Sequence, residues 1–391
     1  MNCRHCGELN EQTAKKCKKC KSILVIGGTG RGPFWAILSI LILAGIFIAS
    51  YFLLGDDTSN LITDGPIEPG VGLFAADGDG SDIHGAIHRI EYGDNVVYLF
   101  GTMHAAAPDW FPLNAKVEEI MRRADVFAFE SDLDMENIDF ATILSIMPII
   151  EEMHMSDQTL ADVLPSHIYE NLVRYIGTFG MTYEEVYNMN PVALAMNLEV
   201  SVAGDLMGES GVYYDDQLGV DGYLMDFAAR HGVATIGLEP LAQQMRIAFS
   251  PNQELLDLVG FSGTLAEIYY DTFTDFVPRA ELVEMLLSSE DTLYAFYLNN
   301  DIQGIIDAMQ TTSEEMENAF ARYMTEVLMN FRSTYYAHRI AELLTETDEP
   351  TTFFVAVGLS HVVRSGDYLT NIVEQLELFG IIADPIWREF N

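Results

Sequence analysis

Four polar residues of this sequence stand at or beside the ends of four strand-like segments. The segments are LFGTMH with His104, VFAFES with Glu130, ATIGLE with Glu239 and FVAVGLSH with His361. In open α/β sheets, functional groups gather beyond the carboxyl ends of the strands, so we expect the four to meet at one sheet edge. Two imidazoles and two carboxylates suit Zn²⁺, Mn²⁺ or Co²⁺, and equally a metal-free pair of base and acid. Both chemistries stay open at this point.

The two histidines share one local pattern: a strand, a glycine, two residues and then histidine. Gly101 precedes His104, and Gly358 precedes His361. The glycine is expected to permit a tight exit from the strand, and the next three residues to return the imidazole over the sheet edge. Taken singly, such a histidine is usually a loop residue and such a glutamate an ion-pairing or capping carboxylate. The set of four favours a site more than any one member does.

The elements around these residues predict an α/β fold. IHRIEY and VVYLF, separated by residues 93–95, indicate a β-hairpin. Residues 114–124 have helical spacing, and DVFAFES returns as a strand. Helical patterns dominate residues 157–345, where VATIGLE at 233–239 is expected to be a buried strand, and TTFFVAVG at 351–358 is a further strand. His84 and His88 precede or begin the first strand and are expected at surface or edge positions.

The charge of the chain is strongly acidic and unevenly distributed. The 391 residues carry a net charge of −39 and are 49% hydrophobic. Residues 1–33 hold seven Lys or Arg and two Glu, a net of +5, so the remainder carries −44. Such a surface repels nucleic acid and anionic lipid, which excludes a nucleic-acid-binding role for the main domain. A solvated acidic surface could attract basic peptides or cations.

All four cysteines lie in the first twenty residues, in two CxxC pairs separated by ten residues. The four are Cys3, Cys6, Cys17 and Cys20. Two such knuckles complete a closed tetrahedral Zn²⁺ site, and the stretch resembles the short zinc ribbons at the N-termini of many prokaryotic membrane proteins. A redox dithiol or free thiols are the alternatives, which two pairs in so short a stretch disfavour. We expect a structural zinc site or a docking module for an unidentified cytoplasmic partner.

An uncharged apolar segment at residues 34–54 is long enough to span a membrane. A cleaved signal peptide is the rival interpretation, but the apolar stretch is too long for one. Lysines and Arg31 precede the segment and Asp56 and Asp57 follow it, so the positive-inside rule places the ribbon in the cytoplasm and the large domain outside. The predicted organisation is a zinc ribbon at 1–22, a basic linker at 23–33, the span at 34–54, a flexible linker at 55–82 and the main domain at 83–391.

The main domain resembles the TraB/PrgY/GumN family, whose animal members include the Tiki proteases that clip Wnt proteins. The resemblance covers about residues 84 to 385. It runs through YLFGTMH, FPLNAKVEEIMRRADVFAFESDL, YNMNPVALAMNL, LGVDGYLMDFAARHGVATIGLEPLAQQ and TFFVAVGLSHVVRSGDYLTNIVEQLELFGI. It implies a TraB/GumN domain related to the erythromycin-esterase and ChaN folds, with a central mixed sheet flanked by helices and a large helical insert.

The resemblance assigns roles to particular residues. His104 and His361 match the two GxxH histidines, and Glu130 and Glu239 match the family's acidic residues; all four are candidate catalytic residues, the histidines also as metal ligands. The family positions with a substrate-contacting or supporting role are Gly101, Asp221, Gln244, Arg332 and Gly358. The family usually has an Arg-Asn pair before the last strand, but here Ser333 follows the arginine.

The resemblance implies a metal-dependent peptidase without the HExxH motif. The two histidines, with or without a glutamate, would hold Mn²⁺, Co²⁺ or Zn²⁺, and Glu130 or Glu239 would act as general base. The substrate would be a peptide or a protein outside the cytoplasm. The alternative is a non-catalytic membrane protein that binds or sequesters a peptide, as pheromone-shutdown relatives do. Loss of turnover in a folded histidine variant distinguishes an enzyme from a binding protein.

Overall fold

A computed structural model describes most of the main domain. The described residues are 18–19, 84–104, 106, 110–131, 140–198, 219–274, 276–284, 296–297, 299–310, 315–347, 349–363 and 366–389. The four cysteines, the apolar segment at 34–54 and the linker at 55–82 lie outside them, so their predicted roles stay predictions. Within the described ranges, no helix is both long enough and apolar enough to cross a membrane.

A six-stranded mixed sheet forms the centre of the domain. Its strands are β1 (Ala86–Tyr92), β2 (Asn95–Thr102), β3 (Val126–Ser131), β4 (Ala234–Glu239), β5 (Thr352–Gly358) and β6 (Ala383–Pro385). Their order across the sheet is β4-β3-β5-β2-β1-β6. Neighbours among β4, β3, β5 and β2 pair in parallel, and β1 pairs antiparallel with both β2 and β6. The predicted α/β class with a mixed central sheet is therefore confirmed.

The strand predictions are confirmed in position, with one correction to burial. β1 and β2 form the predicted hairpin, with Gly93 at a positive φ of 61° in its turn. β5 lies at the centre of the sheet and buries all but its first residue, as its continuous apolar run requires. β4 is an edge strand, and Ala234 and Thr235 at its start are exposed. The buried strand expected there is therefore buried only near its carboxyl end.

Helices cover the sheet and fill the long connections between strands. Besides shorter 3₁₀ turns, the α-helices are Ala115–Met121, Phe140–Glu152, Leu160–Val163, Ser166–Tyr175, Tyr183–Val186, 191–198, Val220–His231, Leu241–Phe249, Gln253–Val259, Leu265–Thr272, 279–284, Ile302–Ala308, Ala319–Tyr323, Arg332–Glu346 and Ile372–Leu378. Aromatic rings pack within the sheet and against this layer. Phe127 of β3 lies 5.1 Å from Phe354 of β5 and 6.0 Å from Phe227 of the helix Val220–His231, between ring centroids. Burying such rings is a large favourable contribution to folding.

Three helices supply side chains to the carboxyl edge of the sheet. They are α1 (Val220–His231), α2 (Leu241–Phe249) and α3 (Arg332–Glu346). A π-helix, Met324–Phe331, leads directly into α3. Such wide turns occur often beside functional sites.

His84 and His88 are not at the surface as expected. Both are buried, with relative exposures of 2% and 5%. His88 lies in β1, which has β2 on one side and β6 on the other, and its ring packs edge-on against Trp387 at 4.6 Å. For His88 the prediction was wrong because β6, only three residues long, was not recognised as a strand covering β1.

Candidate functional site

The carboxyl ends of four parallel strands meet at one edge of the sheet, as the sequence predicts. Thr102 at the end of β2 pairs with Gly358 at the end of β5. Ser131 at the end of β3 pairs with Glu239 at the end of β4. The candidate residues follow or occupy these ends, so the parallel register brings them to the same edge.

His104, Glu130 and His361 converge on Gly358, which has no side chain. A Cβ placed on Gly358 would lie 3.2 Å from Glu130 Oε1, 3.4 Å from His104 Nε2 and 3.8 Å from His361 Cδ2. The Nε2 atom of His361 lies 3.9 Å from the same Glu130 oxygen. One carboxylate oxygen and two imidazoles therefore surround a small space that only a glycine leaves open.

An acidic partner orients the ring of His104. His104 Nδ1 lies 2.7 Å from Asp221 Oδ2, and Thr102 Oγ donates to Asp221 Oδ1 at 2.7 Å. Because an ionised carboxylate only accepts hydrogen bonds, Nδ1 carries a hydrogen and donates it. Burial opposes the charged imidazolium, but the charge and hydrogen bond of Asp221 prevail and raise the pKa of His104.

The start of α1 fixes the backbone beside His104. Gly219 caps this helix, and the N–H of Val220 donates to the Met103 carbonyl at 2.9 Å. A Cβ on Gly219 would lie 1.9 Å from the carbonyl oxygen of His104, closer than any real contact. Only glycine therefore allows the helix carrying Asp221 to approach the histidine so closely.

His361 is fully buried and has a neutral partner. It ends the 3₁₀ turn Leu359–His361, and its Nδ1 lies 2.8 Å from the hydroxyl of Ser333 on α3. Burial, with the positive charges of Arg332 and His104, outweighs the attraction of Glu130 and lowers the pKa of His361 to about 3. The ring is neutral at physiological pH, so its 3.9 Å approach to Glu130 is not an ion pair.

Glu130 is held by three donors on its two oxygens. The Gly358 N–H donates to Oε1 at 2.7 Å, while Arg332 Nη2 and Gln244 Nε2 donate to Oε2 at 2.6 and 3.1 Å. Ser131 donates to the Gln244 carbonyl oxygen at 2.7 Å, which fixes the amide orientation. Burial opposes ionisation, but Arg332 and the two histidines bring the pKa of Glu130 down to about 2. Glu130 is therefore an anion and a weak base.

Glu239 bonds to Arg332 rather than to either histidine. Arg332 Nε and Nη2 approach its Oε1 at 2.8 and 2.6 Å, and the Tyr336 hydroxyl donates to the same oxygen at 2.5 Å. Gln243 donates to Oε2 at 3.1 Å. Arg332 thus links the two buried glutamates and is the counter-ion of both.

The two motif glycines allow close approach rather than the tight strand exit that we expected. Neither is among the residues with a positive φ, and Gly101 lies within β2 rather than after it. A Cβ on Gly101 would lie 2.7 Å from Leu359 Cδ1. Gly101 therefore makes room for the turn that carries His361, and Gly358 makes room for the convergence itself.

Sequence reasoning assigned no role in the site to five of its residues. They are Thr102, Ser131, Gly219, Ser333 and Tyr336. Tyr336 follows Arg332 by four residues on one helix, which places both on the same face, so this spacing could have identified it. The hydroxyl residues lie next to predicted site residues or two away, yet nothing in their types indicates the partners that they bind.

The metal-binding capacity of the site depends on two unpartnered nitrogens. Nε2 of His104 and Nε2 of His361 are both buried and have no hydrogen-bond partner. Within the described part of the chain, no group of three or more His, Cys, Asp or Glu residues forms a metal site as it stands. Buried polar atoms are normally satisfied, so these two nitrogens are available to a metal ion or to water.

Comparison with known protein families shows which family the chain belongs to. The sequence profile of the TraB/PrgY/gumN family matches residues 86–377, about three quarters of the chain. The chain belongs to the TraB/PrgY/gumN family. In this family member the matched range begins with β1 and ends in the helix Ile372–Leu378, and so includes every site residue described above. Neither the curated proteins nor the solved structures contain a significant match to the chain.

Proposed function

We propose that this TraB/PrgY/gumN protein is a membrane-anchored hydrolase that cleaves peptides outside the cytoplasm with the help of a divalent metal ion. The ion would be Mn²⁺, Co²⁺ or Zn²⁺ at the His104–Glu130–His361 site. The apolar segment at 34–54 would anchor the chain, and the cysteine ribbon, with its own Zn²⁺, would lie in the cytoplasm and face a partner there.

One observation supports a metal-dependent function. The buried Nε2 atoms of His104 and His361 have no hydrogen-bond partner, and they lie on either side of one oxygen of Glu130. In both rings Nδ1 is already engaged, by Asp221 in His104 and by Ser333 in His361. Nε2 is therefore the nitrogen that could give its lone pair to a metal ion. Metal-ligating histidines ordinarily bond their second nitrogen in this way, and two imidazoles with one carboxylate suit a divalent cation. The donor set therefore fits a divalent ion.

The chain's own residues would divide the work. His104, His361 and Glu130 would hold the ion, which when bound would polarise the scissile carbonyl and lower the pKa of a water molecule. Glu130 is better suited to act as a metal ligand than as a general base, because its pKa is about 2. Glu239 would hold Arg332 in place, and Arg332 in turn keeps Glu130 ionised.

A second candidate is a metal-free hydrolase in which His104 transfers the proton. The raised pKa of His104 favours it, because a protonated imidazole with a free Nε2–H can act as a general acid. In that case Asp221 would stabilise the imidazolium during the reaction. The acidic surface of the domain would favour basic peptides as substrates of either enzyme.

A cleavage assay on the full chain tests the proposal. The detergent-solubilised protein would be loaded with Mn²⁺, Co²⁺ or Zn²⁺ in turn and incubated with a peptide mixture that includes basic sequences, and products would be identified by mass spectrometry. We expect metal-dependent cleavage that falls about 100-fold or more in His104→Ala and His361→Ala. His338→Ala is the matched control, since this histidine of α3 is exposed and its ring packs at a tilt against Phe379, away from the site.

The outcomes separate the candidates. Cleavage that persists in EDTA but is lost in His104→Ala would replace the metal-dependent reading with the metal-free one. If no peptide is cut under any condition while the wild-type chain still binds peptides, the protein is a binding module and hydrolysis is rejected.

A further inference from the structure

We propose that Ser333 is the positioning residue that makes His361 a ligand, by accepting the Nδ1 hydrogen and leaving Nε2 bare toward Glu130. The inference rests on the metal-dependent hydrolase proposed above. The two histidines differ in the group that lies beside Nδ1. His104 has an acidic acceptor on Nδ1, whereas His361 has only a hydroxyl.

A neutral imidazole carries one hydrogen, and its position decides what the other nitrogen can do. If the hydrogen is on Nδ1, Nε2 presents a lone pair; if it is on Nε2, the ring cannot bind a metal ion there. Nε2 of His361 points into the space beside Glu130 Oε1, 3.9 Å away, and lacks a partner. Ligation therefore requires an acceptor for the Nδ1 hydrogen.

Ser333 is the group placed to accept that hydrogen. Its hydroxyl oxygen lies 2.8 Å from Nδ1, and both residues have a relative exposure of 0%. Such burial keeps bulk water from replacing the hydroxyl. Without it, the Nδ1 tautomer would leave a buried N–H unsatisfied, and the ring would favour the non-ligating form.

The position of Ser333 in α3 explains how one helix serves two purposes. Arg332 and Tyr336, four residues apart, bond to the glutamates, while Ser333, about a quarter turn further round, reaches His361. The helix therefore fixes the charge of Glu130 and the hydrogen position of His361 together.

Metal affinity of the full chain tests the role of Ser333 without relying on activity. Mn²⁺ would be titrated into the solubilised protein, with binding followed by electron paramagnetic resonance; the cysteine ribbon contributes little because thiolates favour Zn²⁺ over Mn²⁺. We expect Ser333→Ala to weaken Mn²⁺ binding about 10- to 100-fold. Ser333→Thr, which keeps the hydroxyl, should restore most of the affinity.

Ser360→Ala is the matched control, because Ser360 is also buried and adjacent to His361, but its hydroxyl donates to the Met329 sulfur at 3.8 Å and not to the imidazole. It should bind Mn²⁺ as the wild type does. Wild-type affinity in Ser333→Ala, with affinity lost in His361→Ala, would overturn the role of Ser333 and leave the metal site standing. If the wild-type chain binds neither Mn²⁺ nor Zn²⁺ beyond the ribbon, the proposed metal-dependent function itself fails.

Discussion

His104 and His361 end the same motif on neighbouring strands, yet their surroundings differ in charge. Asp221 raises the pKa of His104, whereas burial beside the uncharged Ser333 lowers that of His361 to about 3. The motif therefore determines where each ring lies, and helices distant in sequence determine its charge. Between them stands Glu130, bound to Arg332, which influences both rings.

The largest effect is expected from removing the positive charge of Arg332, which acts on both histidines. Arg332→Met would leave Glu130 and Glu239 buried without a counter-ion, which should lower the free energy of unfolding by about 3–5 kcal/mol in urea denaturation. Arg339→Met is the control on the same helix; its ion pair with Glu342 is partly exposed, so we expect a change below about 1 kcal/mol. Equal stabilities of the two variants would show that Arg332 does not organise the site.

Removing Asp221, the acidic partner of His104, should make the pKa shifts of the two histidines alike in direction. Asp221→Asn takes away the charge that opposes burial, so the pKa of His104 should fall, and loss of a charge-assisted hydrogen bond should cost about 1.5–3 kcal/mol of stability. Titration of the metal-free protein by NMR of its histidine Cε1–H signals measures the first effect. Asp226→Asn, on the same helix but paired with Arg230, is the control. An unchanged His104 titration in Asp221→Asn would show that Asp221 does not cause the difference in pKa between the two histidines.

A third buried histidine, His88, has no acidic partner among the described residues to oppose the effect of burial on its pKa. Burial, with the nearby Arg388, lowers the pKa of His88 to about 4, below its ordinary value near 6.5. The unfolded chain therefore takes up the proton first, and the stability present above pH 6.5 is lost as the pH falls toward 4.

We expect His88→Gln to reduce the loss of stability between pH 7 and pH 4.5 by about 2 kcal/mol, as measured by urea unfolding at each pH. His167→Gln, on the exposed face of the helix Ser166–Tyr175, should keep the wild-type pH profile. The same slope in the wild type and His88→Gln would show that His88 is not the titrating group.

The two motif glycines should separate stability from function. Gly101→Ala meets Leu359 at 2.7 Å, so we expect a loss of about 1–3 kcal/mol of stability from overpacking. In Gly358→Ala the new methyl group meets Glu130, His104 and His361 at ordinary or slightly short distances, so stability should change less while metal binding falls. Unfolding curves and Mn²⁺ titrations of both variants decide this. Normal metal binding in Gly358→Ala would show that the space beside Gly358 is not where the metal ion binds.

The sequence predicted the strands well because their apolar runs and ends are local features. It placed His104, Glu130, Glu239 and His361 at one edge because parallel strands end together. It could not predict that Glu239 would bond to Arg332 instead of joining the histidines, since that depends on how α3 packs over the sheet. Ser333 was noted only as a departure from the family's asparagine, although it contacts His361. The burial of His88 was missed because three residues of β6 carry too weak a pattern to indicate a strand.

The central claim is that His104 and His361 serve one metal centre, and a metal count tests it most directly. Zinc and manganese would be measured by elemental analysis in the full chain and in His104→Ala and His361→Ala, all with an identical ribbon, with circular dichroism to check folding. We predict that the wild type carries about one more metal ion per chain than either variant. Equal metal content in the three folded proteins would contradict the account.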